Sequence, residues 1–452
     1  MSAQPQDKLA RLAALRPAKK RGESGAEAGA ETGAPIREEE RATRRGYAPE
    51  IPEGAERLAE ILAARVERTK YGEHLSVRRW YSEPGGPEDA EISRNALRLL
   101  APGAAEETLD PREWLFLDTE TTGLAGGTGT YAFLIGIAWW DAGGLEVEQF
   151  FMREHSEEHS VLAALAERMA ERRVLVTFNG KTFDWPLLDT RYRMTRTIRA
   201  PEPRAHLDFL HPARNLWRMR LGSVRLADLE RGILGWRREG DCFSELIPQY
   251  YFDYLRGGAP EPLVPVFSHN QMDLRGLAAI ATRVMALVGD AENRGTHALD
   301  LFGVSRICER RGESARAKKL YSRSLEAELP PEADRAARRS LARLAKRGGD
   351  LAGAVKLWES MAGDTPEGWE AYQQLAIHYE HRAKDPGRAR GIVKKALGEL
   401  RRANRLGTME AAAYRARREA FEHRLERLEK KAGRGLLEGM EAESRAAASE
   451  SN

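Results

Sequence analysis

Residues 114–124 read WLFLDTETTGL, and no other stretch limits the possible folds of the chain as strongly. Trp114 to Leu117 are four consecutive apolar residues, which predicts a buried strand, and Asp118 and Glu120 follow with Thr119 between them. In an extended chain residues i and i+2 project to the same side, so the two carboxylates converge on one patch. Two acids in an apolar setting raise each other's pKa unless a cation neutralises them. Hard oxygen donors favour Mg²⁺ or Mn²⁺ over zinc. Solvated loop acids would also read D-x-E; the flanking TTGL and the partners found downstream weigh against that.

A chain of 452 residues has room for roughly two to four domains and a large core. Its 72 Lys and Arg nearly cancel its 69 Asp and Glu, leaving a formal charge of +3, a faint signal of a nucleic-acid partner that still allows a local basic groove. Cys242 and Cys308 are far apart and form no CxxC, so the sequence suggests neither a thiol–metal site nor a disulfide framework. The longest nearly uninterrupted apolar run, Tyr131 to Trp140, is much shorter than the ~20 residues of a membrane helix. With no apolar segment after the basic N-terminus, no secretory signal is visible and a cytoplasmic protein is expected.

Along the chain, residues 1–46 have the composition of a disordered tail, rich in Ala, Gly, Glu and Arg. Residues 47–110 read as a lead-in that packs on the next domain, with a helical pattern from Ile51 to about Arg68 and an extended piece from Leu75 to Tyr81. From 111 to 290, strand and helix signals alternate. YAFLIGIAWW (131–140) and LEVEQFF (145–151) flank the turn Asp141-Ala142-Gly143-Gly144, which implies three antiparallel strands with the first. A helix over 156–172, a strand VLVTF at 174–178, a helix near 183–194 and a strand HLDFL at 206–210 supply crossover units. That order, β-β-β-α-β-α-β-α, is the order of a ribonuclease H-like α/β fold, a mixed sheet flanked by helices. The glycine-rich loop 123–130 lacks the Gly-Lys-Ser/Thr ending of a P-loop and reads as a wide hairpin loop.

From 295 to 400 the pattern becomes all-helical. Ala317, Ala354 and Ala389 hold equivalent places at intervals of 37 and 35 residues, close to the roughly 34-residue period of tetratricopeptide repeats. Residues 401–431 read as a long charged helix and 432–452 as a disordered tail.

Two further acidic sites complete a constellation. In NGKTFDWPLL (179–188), Asn179 and Gly180 end a strand and Asp184 opens a helix at the same sheet edge as Asp118. A helix-start Asp is often only a cap. In VFSHNQMDLRGLAAIATRVMALV (266–288) a helix with a long apolar face carries His269 four residues before Asp273, which puts imidazole and carboxylate on one face. Four acids without Cys ligands are what two-metal phosphodiester hydrolysis requires, and a neutral His can take the proton from the attacking water.

DTETTGL at 118–124, N-x-x-x-F-D at 179–184 and the final Asp273 resemble the three motifs of the DEDD 3′→5′ exonucleases, the superfamily of the proofreading subunit of bacterial DNA polymerase III. The finer resemblance is to the YprB-like ribonuclease H-like family. It is carried by LAGGTGTYAFLIGIA, HLDFLHPARNLWR, LADLERGILGWRR, IPQYYFDYLRGG and HNQMDLRGLAAI, over about residues 70–290. The resemblance implies that Asp118, Glu120, Asp184 and Asp273 hold two divalent cations, Mg²⁺ or Mn²⁺, and that His269 orients or deprotonates water. The His-to-Asp spacing here is four residues, where the histidine subgroup has five. Thr121, Thr122 and Gly123, at the strand end, and Asn179 are placed to meet the terminal nucleotide. The expected activity is 3′→5′ exonucleolytic cleavage of single-stranded DNA or RNA, with the helical repeats either recruiting a protein partner or serving as a structural buttress, and no membrane involved. The alternative is a nucleic-acid-binding or adaptor protein whose nuclease fold is idle; the intact acid set argues against it.

Overall fold

The computed structural model describes residues 54–82, 94–103, 110–123, 128–293, 295–364 and 368–450. The predicted tail of 1–46 and Leu124–Gly127 of the glycine-rich loop lie outside them.

Helix α1 (Gly54–Leu62) begins the described chain. The helical period predicted to continue to Arg68 stops at Leu62, because Ala63 turns left-handed at φ 46° and β1 (Arg65–Thr69) pairs with β2 (Gly72–Tyr81). Strand pairing overrides the local helical pattern here, as tertiary context often does. After α2 (Arg94–Leu100) come β3 (Trp114–Thr121), β4 (Ala132–Asp141) and β5 (Gly144–Phe151), all antiparallel. The β4–β5 turn puts Ala142 and Gly143 at φ 47° and 78°, the two left-handed residues that a two-residue hairpin needs to match strand twist. Next come α3 (Glu158–Glu171), β6 (Val174–Thr177), α4 (Asp184–Thr195), β7 (Ala205–Asp208) and α5 (Leu210–Leu221), in the predicted β-β-β-α-β-α-β-α order. The mixed sheet runs β1-β2-β5-β4-β3-β6-β7, with β3, β6 and β7 parallel.

The sheet is covered on both faces. Trp114 and Phe116 of β3 join one core and Leu115 and Leu117 the other, as strand alternation requires. Short α6 (Leu226–Leu229) runs into a π-turn over Glu230–Leu234, and α7 (Ile247–Leu255) precedes the 26-residue α8 (Val264–Gly289). α8 lies across β3, β4 and β5, with Val266 and Phe267 in one core and Leu274 to Val288 in the other.

The chain then becomes all-helical: α9 (Ala298–Arg310), α10 (Ser314–Glu326), α11 (Pro331–Arg347), α12 (Leu351–Asp364), α13 (Trp369–Ile377) and α14 (Pro386–Arg405) pack each on the next. Ala317, Ala354 and Ala389 are each the fourth residue of α10, α12 and α14 and are fully buried. The charged helix predicted over 401–431 is divided: α14 ends at Arg405 and α15 starts at Ala411 and runs to Glu450. The disordered tail expected from 432 is therefore helical to Glu450, consistent with its Ala and Glu content, both strong helix formers. Among the described residues no helix is long and apolar enough to cross a membrane.

Candidate active site

At the end of β3 the ladder with β4 shifts register between Glu120 and Thr121, a bulge of the kind that re-aims side chains beside functional sites. Asp118 sits opposite Gly136 of β4, which in turn sits opposite Gln149 of β5. Asn270 of α8 lies over Gly136 so closely that a Cβ there would come within 2.0 Å of Asn270 Oδ1. Fully buried, Asn270 accepts from Gln149 Nε2 at 2.8 Å and donates from Nδ2 to Asp118 Oδ2 at 2.9 Å. The relay continues outward from Gln149 to Gln271 and Tyr81.

Asp184, the first residue of α4, accepts from Thr119 Oγ1. Asp273 and His269 lie one turn apart on α8, with His269 Nε2 3.5 Å from Asp273 Oδ2. The structure brings the four predicted acids into mutual electrostatic range. Burial first, and then the charges of Asp273, Glu120 and Asp184, push the Asp118 carboxyl well above its ordinary value, against the Asn270 hydrogen bond. Burial with Asp273, Asp184 and Asp241 does the same to Glu120. Asp184 is pushed up to about 6, chiefly by burial and against the Thr119 hydrogen bond.

Several groups in the site were not singled out in the sequence. Arg238 is nearly buried and its guanidinium bonds Glu230 twice at 2.6 Å, Asp241 at 3.3 Å and Asp273. Burial disfavours its charge, but Glu230 and Asp273 hold it protonated. Gly276 leaves room for this clamp, since a Cβ there would lie 1.9 Å from Glu230 Oε1. Asp241 meets His269 Nδ1 at 2.5 Å; although burial works to raise its pKa, His269 and Arg238 bring it below the ordinary carboxylate value. With Nδ1 facing Asp241, Nε2 is the nitrogen left toward Asp273. Arg238 and Asp241 lie on the loop after the π-turn, inside the GWRREGD stretch, and nothing local in that stretch signals that it folds onto α8.

The predicted substrate contacts differ among themselves. Thr121 Oγ1 donates to Gly123 O and Thr122 Oγ1 accepts the Tyr131 amide, so both hydroxyls close the hairpin mouth, while Gly123 borders open space. Asn179 is left-handed at φ 73°, and its amide donates to Asp208 Oδ1. Asp208 also accepts the amides of Lys181 and Leu210, which fixes the loop carrying Asn179.

Among the described residues, the group of three ligand-type side chains within 4.8 Å of one another is Asp241, Cys242 and His269. This places a thiol where the sequence suggested none beside ligands. Burial and the Asp241 and Glu120 charges push that thiol up to about 11. The four predicted acids are less tightly grouped, with Asp118 engaged by Asn270, Asp184 by Thr119 and Asp273 by Arg238. As oxygen donors that repel one another where they stand, Asp118, Glu120, Asp184 and Asp273 fit a hard divalent cation.

A mixed sheet flanked by helices, with acids gathered at the end of the interior strand β3, defines an RNase H-like domain, and the RNase H superfamily model matches residues 115–285. Over 287 residues the chain is 30% identical to "Uncharacterized protein YprB" of Bacillus subtilis (strain 168), covering 63% of this chain and 69% of that one. The chain belongs to the YprB family of the RNase H superfamily. A solved family B DNA polymerase from the hyperthermophilic archaeon Pyrobaculum calidifontis is 15% identical at a TM-score of 0.33, over 45% of this chain and 29% of the polymerase. The chain thus spans less than a third of that polymerase.

Proposed function

We propose that the protein is a metal-dependent 3′→5′ exonuclease acting on single-stranded DNA or RNA. The observation that carries this reading is the crowding of acids around Asp118 and Glu120, whose carboxyls are pushed well up by burial and by the charges of Asp273 and Asp184, an arrangement that is costly without a cation and suited to one. Asp118, Glu120, Asp184 and Asp273 would hold two Mg²⁺ or Mn²⁺. When bound, such ions supply an acidified water and neutralise charge on the phosphodiester in the transition state.

The chain's own groups do the rest. Asn270 fixes the rotamer of Asp118, Thr119 that of Asp184 and Arg238 that of Asp273. Asp241 holds the His269 ring by Nδ1 so that Nε2 can accept a proton from water on the Asp273 side. The backbone of Thr121–Gly123 and the Asn179 turn would receive the terminal nucleotide. The helical region is read as tetratricopeptide-like repeats that recruit a protein.

The test is trimming of labelled single-stranded DNA and RNA by the full chain. With Mn²⁺ the product ladder should shorten from the 3′ end, Asp118→Asn should abolish it, and EDTA should stop it. Trimming that persists in EDTA or in the Asp118→Asn protein overturns the reading.

A further inference from the structure

Charge is unevenly placed along the chain. Residues 298–431 carry 30 Lys and Arg against 20 Asp and Glu, an excess far above the +3 of the whole sequence. Three cavities gather cationic side chains on the surface, two of them within the helical region. The first, of about 420 Å³, opens beside the Asn179–Lys181 loop at the β7 edge and is lined by Lys181, Arg204, His211 and Arg311. Its acid, Asp208, already accepts three backbone amides. The second, about 600 Å³, is lined by Arg306, Arg310, Arg339 and Arg347, and the third, about 870 Å³, by Arg335, Arg339, Arg417 and Arg424.

These cavities are neighbours through their arginines. Arg310 and Arg311, consecutive at the end of α9, line the second and first, and Arg339 lines both the second and third. Cations crowd at the first link: besides burial, the charges of Arg306 and Arg311 depress the basicity of Arg310. Arg204, Arg310, Arg347 and Arg417 are exposed, and among the described residues none has a carboxylate partner. The opposing acids are fewer, with Glu309 tied to Arg343 and Tyr321.

We propose that these three cavities form one cationic track that binds the phosphodiester backbone of a single strand, carrying it from the Asn179–Lys181 loop across the face of the helical region. The proposal rests on the nuclease reading for the class of its ligand. A row of arginines that starts at the β7 edge beside Lys181 and runs through neighbouring cavities suits a polymer of regularly spaced phosphates better than a short acidic peptide, which needs no such extent. The helical region then acts as a substrate-binding surface in addition to any protein contact.

The experiment measures binding of oligothymidylate and oligouridylate of about 20 nucleotides to the full chain by fluorescence anisotropy across a salt series, with Ca²⁺ present. In wild type, log K should fall steeply with log salt. Combining Arg204→Gln, Arg310→Gln, Arg347→Gln and Arg417→Gln should reduce the slope by about 3, at about 0.7 per phosphate contact for single strands. The pair Arg310→Gln and Arg347→Gln alone should reduce it by about half that, which guards against a folding defect in the fourfold variant. An unchanged slope in both variants overturns the track, even if the wild type hydrolyses nucleic acid. An absence of hydrolysis with Mn²⁺ alongside the expected loss of slope overturns the nuclease reading and leaves the track standing. Binding of polyglutamate that is lost in the variants, with oligonucleotide binding unchanged, overturns the track in favour of an acidic protein.

Discussion

A methyl group at Gly136 would meet Asn270 Oδ1 at 2.0 Å, so this position of β4 decides whether α8 can lay Asn270 between Gln149 and Asp118. Gly136→Ala is expected to cost about 1–3 kcal/mol through overpacking. It should also weaken Mn²⁺ binding by about 10–100-fold, the usual effect of losing a group that orients a metal ligand. Thermal melts and calorimetric Mn²⁺ titration would show both; a variant that keeps its Mn²⁺ affinity would mean that Asn270 does not orient Asp118. At this scale the sequence was legible where chemistry announces itself. Asp118, Glu120, Asp184, His269 and Asp273 stand out by type and spacing. Asn270 and Arg238 do not, because an amide or guanidinium acquires its role only from partners supplied by distant strands and turns. The thiol of Cys242 was invisible in the same way, since its neighbour His269 is 27 positions away.

Glu380 illustrates how an element is held by one residue. It lies on the π-turn His378–Arg382 with its side chain wholly enclosed, and Arg424, Arg427 and Lys431 of α15 all bond its carboxylate. Burial works to raise its pKa, but the Arg427 and Lys431 hydrogen bonds prevail and bring it down to about 2. An acid whose folded pKa lies below its unfolded value stabilises fully above the unfolded value and loses that contribution as pH falls toward the folded one. α15 should therefore loosen between about pH 4.5 and pH 2. Glu380→Gln should cost about 1.5–3 kcal/mol at neutral pH, the worth of a hydrogen bond to a charged group. Hydrogen exchange would show α15 losing protection before α9 to α12; uniform loss across the helices would count against this clamp. Helix existence was readable from apolar spacing, but helix ends were not. α1 stops short because β2 offers Arg65–Thr69 a partner, and α15 begins afresh after the break at 406–410.

For the whole molecule, a cation at the candidate site would tie together β3, α4 and α8, which are far apart in sequence. Asp184, raised to about 6, holds a proton in the folded protein that it has already lost when unfolded at the same pH. Without a divalent ion, this group's effect is to lower stability as pH rises from the ordinary carboxylate value through about 6. Binding an ion expels that proton, so Mn²⁺ affinity should rise with pH and fall by about tenfold per unit below about 6 for each proton displaced. The gain in Tm on adding Mn²⁺ should accordingly be large at neutral pH and small near pH 5. A Tm gain independent of pH would show that these carboxyls do not receive the ion.

The sequence by itself determined the strand-and-helix order, the all-helical second part and the residue types able to hold a cation, because periodicity and side-chain chemistry are local properties. Only the tertiary structure decided that a hairpin from residues 65–81 extends the sheet, that Arg238 and Asp241 close over α8, and that Arg311 after α9 meets the β7 edge. Each of those depends on which distant surfaces bury one another, and a contact between residues tens of positions apart leaves no periodic mark in a single chain.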